Sequence, residues 1–363
     1  MHKTYEKAAS EAILNELDRN LKNPVDDNAK AHIDCLLNPD LCKVVDINYQ
    51  HTSKDVQAVF ALLEDRANAP VYVGVAPAFA GQLGEGVTPG KLRSAFKRIG
   101  FEGMVEVALF ADILTLKEAL EFDRHVKKAG DYMLTSCCCP MWVGMIKKVY
   151  NDIVPHMPPS VSPMIACGRC IKKINPKAKV VFIGPCLAKK AEAKEPDLIG
   201  DVDVVLTFAE AKEMLDALDV HPEELDDDVR DHASYAGRIY ATTGGVSEAV
   251  ERTVNYLNPL RTIPFESVSA DGVPDCRQLL TDIISGKITA NFIEGMGCKG
   301  GCIGGPKRLN EVEDAKEDVK SYACEAPYTN PVNNPFVTDI LHRLGYDSIE
   351  SLVQDDTIFS RKW

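Results

Sequence analysis

Three short apolar runs in this chain each deliver cysteine within a few residues of their C-terminal end, and this restricts the fold more than any other feature. Residues 132–134 lead into Cys137, Cys138 and Cys139; 180–183 lead into Cys186; 291–293 lead into Cys298 and Cys302. Further β-rich runs lie at 71–75, 104–110 and 202–206, and helical spacing of apolar residues follows the turns between them. Strands alternating with helices imply parallel βαβ units. The unbroken apolar character of 180–183 suits a strand covered on both faces. Open α/β sheets gather ligands beyond the carboxyl ends of their strands. Three cysteine loops at three strand ends therefore predict one site between two α/β halves.

The chemistry of that site depends on whether the thiols are reduced. The sequence begins without a signal-like apolar core, and no run approaches 18 apolar residues, so neither export nor a membrane span is expected. The expectation is a cytoplasmic chain, in which twelve cysteines read as metal ligands or redox groups before disulfides. A net charge of −13 excludes broad nucleic-acid binding, which needs a basic face. Four thiolates suit an iron–sulfur cluster or zinc. The three loops lack the paired C-x2-C knuckles of an ordinary structural zinc site.

The loops read TSCCCPMW at 135–142, GPCLAKKAE at 184–192 and EGMGCKGGCIGGPK at 294–307. In order and content they resemble the three signature loops of the FeFe-hydrogenases, and the likeness runs from residue 71 into the tail. The resemblance implies that Cys139, Cys186 and Cys298 are ligands of a 4Fe-4S cluster. Cys302 would be its fourth ligand and would bridge it to a diiron subcluster carrying CO, CN and a bridging dithiolate. It makes Cys138 the proton-relay thiol, sets Lys189 against a cyanide, and sets Met296 as a soft wall. The turn VAPAF at 75–79 is similar to the family's cyanide-contacting turn, with Pro77 matching and Ala78 where a serine is often found. In ADILTLKEALEFDRH at 111–125, Glu118 and Glu121 match the paired glutamates of the family's proton path, and i, i+3 spacing gives them one helix face. Ser162 resembles the pathway serine, and His125 stands at the position of the terminal arginine. Pro140 is expected to open a helix whose N-terminus faces an anionic cluster.

Several features depart from the common pattern. Cys137 is an additional cysteine, Gly184 replaces a usual methionine, and no ferredoxin-like C-x2-C-x2-C-x3-C run precedes the first loop. Electrons are then expected to arrive directly from a ferredoxin-like carrier, for which Lys299, Lys307 and Arg308 are the candidate basic patch. Cys167 and Cys170 form a C-x2-C that could join Cys35 and Cys42 in a second cluster; Cys276 and Cys324 read as structural. The acidic run at 223–231 reads as a solvated loop. Bland alternatives stand beside the sharp ones: Glu118 and Glu121 on a solvated helix face, and Lys189 as a surface lysine.

The resulting expectation is an α/β protein with two lobes of small twisted sheets and the metal cofactor in the cleft between them. A helical N-terminal segment (1–68), lobes at 69–175 and 176–324, and a wrapping C-terminal tail (325–363, similar to the family's small-subunit segment) complete it. The implied activity is reversible interconversion of protons and dihydrogen, with dependence on hydrogenase maturation proteins. A hydrogen sensor using the same cofactor with slow turnover, or a non-catalytic iron–sulfur assembly relative, are the competing readings.

Overall fold

The computed structural model describes residues 51–363 except 136 and 231, together with Leu14, Asn15, Asp18 and Leu21, which are helical. The rest of the expected helical N-terminal segment up to residue 50, including Cys35 and Cys42, lies outside the described residues.

The described chain runs α1 (Lys54–Glu64), β1 (Val71–Val75), α2 (Pro89–Ile99), β2 (Gly103–Glu106), α3 (Ala108–His125), β3 (Met133–Leu134), α4 (Pro140–Val149) and α5 (Pro163–Ile174). It continues with β4 (Lys179–Gly184), α6 (Ala188–Glu192), β5 (Val204–Thr207), α7 (Phe208–Ala217), α8 (Tyr235–Arg238), α9 (Gly245–Leu257), β6 (Ser267–Asp271) and α10 (Val273–Ile284). The last elements are β7 (Phe292–Met296), α11 (Val312–Cys324), α12 (Pro335–Arg343) and α13 (Ile349–Gln354). Every strand pairing is parallel, in a four-stranded sheet ordered β2-β1-β4-β5 and a three-stranded sheet ordered β3-β7-β6. This is the α/β architecture expected, and β1 is buried along its whole length, as a parallel strand covered on both faces should be.

The sheets do not divide the chain at 175/176. β4 and β5 join β1 and β2, while β3 crosses to pair with β7. The expected boundary followed sequence order, whereas parallel pairing requires crossovers that carry the chain between sheets. The run at 104–110 is strand only to Glu106; from Ala108 it is the start of α3. This helix is buried on all sides, from Ala108 through Ala119 without a break, so its apolar run carries no helical period. β6, with sequence SVSAD, is half-exposed and too polar to announce itself.

α3 is the central post of the molecule, packed against α5, α8, α9, α12 and α13. Its Asp112 accepts hydrogen bonds from the Ser234 N–H at 2.7 Å and Oγ–H at 2.5 Å, and from Asn334 Nδ2 at 3.0 Å. The tail is thereby tied to the core; α12 buries Phe336, Val337, Ile340 and Leu341, and Phe359 is fully covered. The acidic run is not simply solvated, because Arg93 donates to the carbonyls of Asp228 and Arg230 at 2.6 and 2.9 Å and Ser94 donates to that of Asp226. Among the described residues no helix is long and apolar enough to cross a membrane.

Candidate metal centre

The parallel topology brings the C-terminal ends of β1, β3, β4 and β7 toward one place. The Ala76 N–H donates to the Ile183 carbonyl at 2.8 Å, joining the Pro77 turn to the Cys186 loop. The Thr135 N–H donates to the Ile293 carbonyl at 2.8 Å, joining the triple-cysteine loop to the third loop. Pro140 opens α4 with Cys139 as its N-cap. The Cys139 Sγ accepts the Gly297 N–H at 3.3 Å, and this N–H and those of Trp142 and Met141 oppose the upward push of burial on its pKa. The third loop is pinned through Gly300, whose N–H donates to Asp271 at 2.9 Å. Gly301 has a left-handed φ of 88°, and a Cβ there would meet the Met296 sulfur at 2.9 Å; at Gly304 it would lie 1.7 Å from the Lys299 carbonyl oxygen.

A small, almost wholly apolar cavity opens beside these loops. Its walls are Ala76, Pro77, Val107, Cys138, Pro163, Met164, Phe182, Pro185, Cys186, Lys189, Tyr240, Ala241 and Cys302. Cys138, Cys186, Cys302, Lys189 and Pro77 thus border one cavity. Cys139 and Cys298 stand just behind: burial, and then the thiols of Cys139 and Cys186, push Cys298 up to about 11. Burial and the same two neighbours push Cys302 higher. Cys138 is raised well above the ordinary thiol value by burial first, then by Cys302 and Cys139, with Lys189 opposing. Ala78 and Met296 are buried but are not among the lining residues, Met296 lying at the end of β7 under Gly301. Ser162 caps α5, its Oγ accepting from the Ile165 N–H at 3.4 Å, next to the lining Pro163 and Met164.

The charged groups are not on the surface. Lys189 is 7% exposed and its Nζ lies 2.6 Å from Glu192. Burial opposes its ammonium, but Glu192 and the thiols of Cys138 and Cys186 outweigh it and hold the pKa above the usual lysine value. Glu118 and Glu121 are both buried, which removes the solvated-face reading. Burial pushes Glu118 up to about 7, against a 2.5 Å hydrogen bond donated by Thr135 Oγ1 and with help from Glu121. Glu121 is paired with Lys117 at 2.5 Å. Cys137 faces away from the cavity, its thiol 3.7 Å from the Pro158 carbonyl.

The set suits an iron–sulfur group of more than one metal. Among the described residues no three His, Cys, Asp or Glu side chains converge closely enough to hold a single ion. Yet Cys139, Cys298 and Cys302 are each pushed up in part by neighbouring thiols, Cys186 among them, and Cys186 and Cys302 border an apolar cavity with the further thiol of Cys138 and an ammonium. Cys167 and Cys170 are buried in the face of α5 that packs on β1 and β4, where Cys167 lies against Gly74, so they belong to the core. Cys276 donates to the Met296 carbonyl at 3.3 Å under the third loop; Cys324 is exposed. Lys299 is already engaged by Asp271 and Asp275, and Arg308 lies 3.9 Å from Glu311, so the charges of the expected patch are largely compensated within the chain. The sequence singles out none of Tyr240, Met164, Phe182 and Thr135, although Thr135 opens the first cysteine loop and Phe182 stands two residues before Gly184-Pro185-Cys186.

The profile of the family described as iron only hydrogenase large subunit, C-terminal domain, matches residues 69–306. Iron hydrogenase 1 of Clostridium pasteurianum is 27% identical over 318 residues, covering 73% of this chain and 55% of the relative. The NADP-reducing hydrogenase subunit of Solidesulfovibrio fructosivorans is 30% identical over 347 residues, 78% of this chain and 59% of its own. A cytosolic iron–sulfur assembly component of Pongo abelii is 27% identical over 282 residues, 63% of this chain and 58% of its own. The chain thus spans between half and two thirds of these relatives' lengths. Among solved structures, the one reporting stepwise FeFe-hydrogenase H-cluster assembly aligns with a TM-score of 0.69 at 20% identity, over 86% of this chain and 99% of that one. An FeFe-hydrogenase variant from Chlamydomonas reinhardtii aligns with a TM-score of 0.66 at 18% identity, over the same shares.

Proposed function

The chain belongs to the iron-only hydrogenase large-subunit family through its C-terminal domain, and from that premise we propose that it is an FeFe-hydrogenase interconverting protons and dihydrogen. Cys139, Cys186, Cys298 and Cys302 would hold the 4Fe-4S cluster, with Cys302 also reaching the diiron subcluster with its CO, CN and dithiolate ligands. Pro77, Ala78, Lys189 and Met296 would cradle the diiron side. When bound, this cofactor supplies the redox chemistry of hydrogen and the passage of electrons.

The chain's own part is proton handling, charge and dryness. Cys138 presents a thiol at the cavity wall that stays protonated under ordinary conditions, as a donor must. Glu118, raised to about 7, is matched to exchange protons near neutral pH, and Thr135 fixes one of its oxygens. Ser162 keeps its own O–H to donate after its oxygen has capped α5. The apolar walls, Val107, Met164 and Phe182 among them, keep water out of the cavity and strengthen the field of the Lys189 ammonium there.

The observation that carries the reading is that Cys138 and Lys189 face one apolar cavity bounded by Cys186 and Cys302. A site for a cubane alone has no use for that space. The reading predicts use of a ferredoxin-like carrier and of hydrogenase maturation proteins. An assembly role is favoured by the similarity to iron–sulfur assembly components, and a sensor would differ only in rate. Protein co-produced with the maturation proteins should give infrared bands of bound CO and CN and should evolve hydrogen from reduced viologen. A cubane without those bands would sink the hydrogenase and favour the assembly role; bands with only slow turnover would favour the sensor.

A further inference from the structure

Lys117 is a buried charge that this reading leaves unused. It is fully covered, and its Nζ lies 2.5 Å from Glu121 Oε1 and 3.2 Å from Ser160 Oγ. Glu118, the next residue in α3, is close enough to Glu121 for the Glu121 carboxylate to disfavour its ionisation. Two such groups in a dry site share protons ambiguously unless something breaks their symmetry. Here a cation touches one of them and a neutral hydroxyl, Thr135, touches the other. The second oxygen of Glu121, Oε2, is buried and has no hydrogen-bond partner.

We propose that Lys117 is a positioning residue of the proton path: its ammonium keeps Glu121 a carboxylate and leaves Glu118 as the carboxyl that carries the exchangeable proton. The buried Oε2 of Glu121, which has no hydrogen-bond partner, would then be an acceptor for that proton. Beyond Lys117 lies Ser160, which follows Pro158 and Pro159, and those prolines wall an open cleft with His125, Asp131 and His156. The groups acting on Glu118 are Lys117 and Glu121 from its own helix, Thr135 and Cys137 from the first loop, Tyr240 from the segment after α8, and Glu294 from β7. Of these, only Lys117 is a cation. The upward displacement of Glu118 to about 7 agrees with its role as proton holder.

The use of this device rests on the hydrogenase reading, but the charge assignment does not, because it concerns the chain without the diiron unit. Protein produced without maturation proteins should show, by infrared pH titration, a buried carboxyl losing its proton near pH 7, beside that of Asp112, which burial pushes up to about 6. Glu118→Gln should abolish that signal and Glu121→Gln should leave it. Lys117→Met should add a further protonated carboxyl and raise the apparent proton affinity about tenfold or more, one pK unit. Lys117→Arg should restore the original titration. The double variant Lys117→Met/Glu121→Gln removes the pair together and should stay folded even where the single variant does not. In matured protein, Lys117→Met should shift the pH profile of hydrogen turnover and Lys117→Arg should shift it back. Loss of the neutral-pH carboxyl signal in Glu121→Gln but not in Glu118→Gln would overturn the proposal, as would an unchanged titration in folded Lys117→Met. Absence of CO and CN bands after maturation would overturn the hydrogenase reading alone.

Discussion

Gly295 offers a test of how the first and third loops are held together. It lies inside β7, and a Cβ added there would sit 2.1 Å from Cε3 and 2.4 Å from Cδ2 of Trp142. Carbon atoms rest at about 3.5–4.0 Å, so the indole must retreat by more than about 1 Å. Trp142 is fully buried, and its Nε1–H donates to the Thr135 carbonyl at 2.8 Å. A shifted indole strains that bond, and Thr135 in turn holds Glu118. Overpacking of this kind costs about 1–3 kcal/mol, and loss of the buried hydrogen bond about 1 kcal/mol more. Gly295→Ala should therefore destabilise the protein by about 2–4 kcal/mol, a fall in Tm on the order of 5 °C. Trp142 is one of two tryptophans, so its emission should move to longer wavelength as water reaches the ring. Adding Trp142→Leu should make the pair of substitutions cost less than their sum by about 1 kcal/mol or more. Wild-type melting and emission in Gly295→Ala would refute the reasoning, as would strict additivity in the double variant.

Three further outcomes follow from the site. Serine at Cys139, Cys186 or Cys298 should lose the single 4Fe-4S cluster and lower stability, because metal-binding energy is folding energy here; full iron retention in all three, measured chemically and by visible absorption, would remove the ligand assignment. Cys138→Ala should keep the iron and lower hydrogen turnover by about 10²–10⁴-fold, with Cys137→Ala much milder; the reverse order would mean that the triple cysteine is read one residue out of register. Glu118 is raised from 4.5 to about 7 by burial, so the native state holds its proton more tightly than the unfolded chain. Its contribution to stability is complete below the unfolded value and is lost as pH rises through 7. Glu118→Gln should flatten the pH dependence of unfolding between those values by roughly 3 kcal/mol, and identical curves for both proteins would contradict it.

The sequence made the site more legible than the fold around it. Cysteine following a strand is a local pattern, and parallel pairing then forces those ends to one side, so Cys138, Cys186 and Cys302 could be grouped without any contact being known, whereas Lys189 is reached only through the family resemblance. Which strands share a sheet depends on crossovers that no window of residues contains, and the lobes accordingly interleave. α3 hid its start because burial on every side erases the helical period, and β6 hid because a half-exposed strand needs few apolar residues. Lys117 read as an ordinary lysine: nothing in ILTLKEALEF says that the whole turn is covered. Tyr240 and Met164 reach the cavity from segments with no distinguishing motif.

The two buried lysines explain how such a site can stand ready in the apo chain. An ammonium removed from water is costly unless it is paired and hydrogen-bonded. Lys189 finds Glu192 three residues on, and Lys117 finds Glu121 four residues on, each at about one helical turn. Both pairs therefore form as soon as their own helix forms, independently of the arrival of any metal. The thiols behave in the same way: burial raises Cys138, Cys139, Cys298 and Cys302 toward the protonated, neutral form. A site made of neutral thiols and internally compensated cations carries little net charge to repel its own closure. Loading an anionic cluster changes that balance, since the thiols must give up protons to become ligands. Lys189, which acts with Cys138 and Cys186, and Arg308, which acts on Cys298, are then the cations at hand. The chain thus folds around compensated charges and exposes one of them to compensation by the cofactor only when that cofactor arrives.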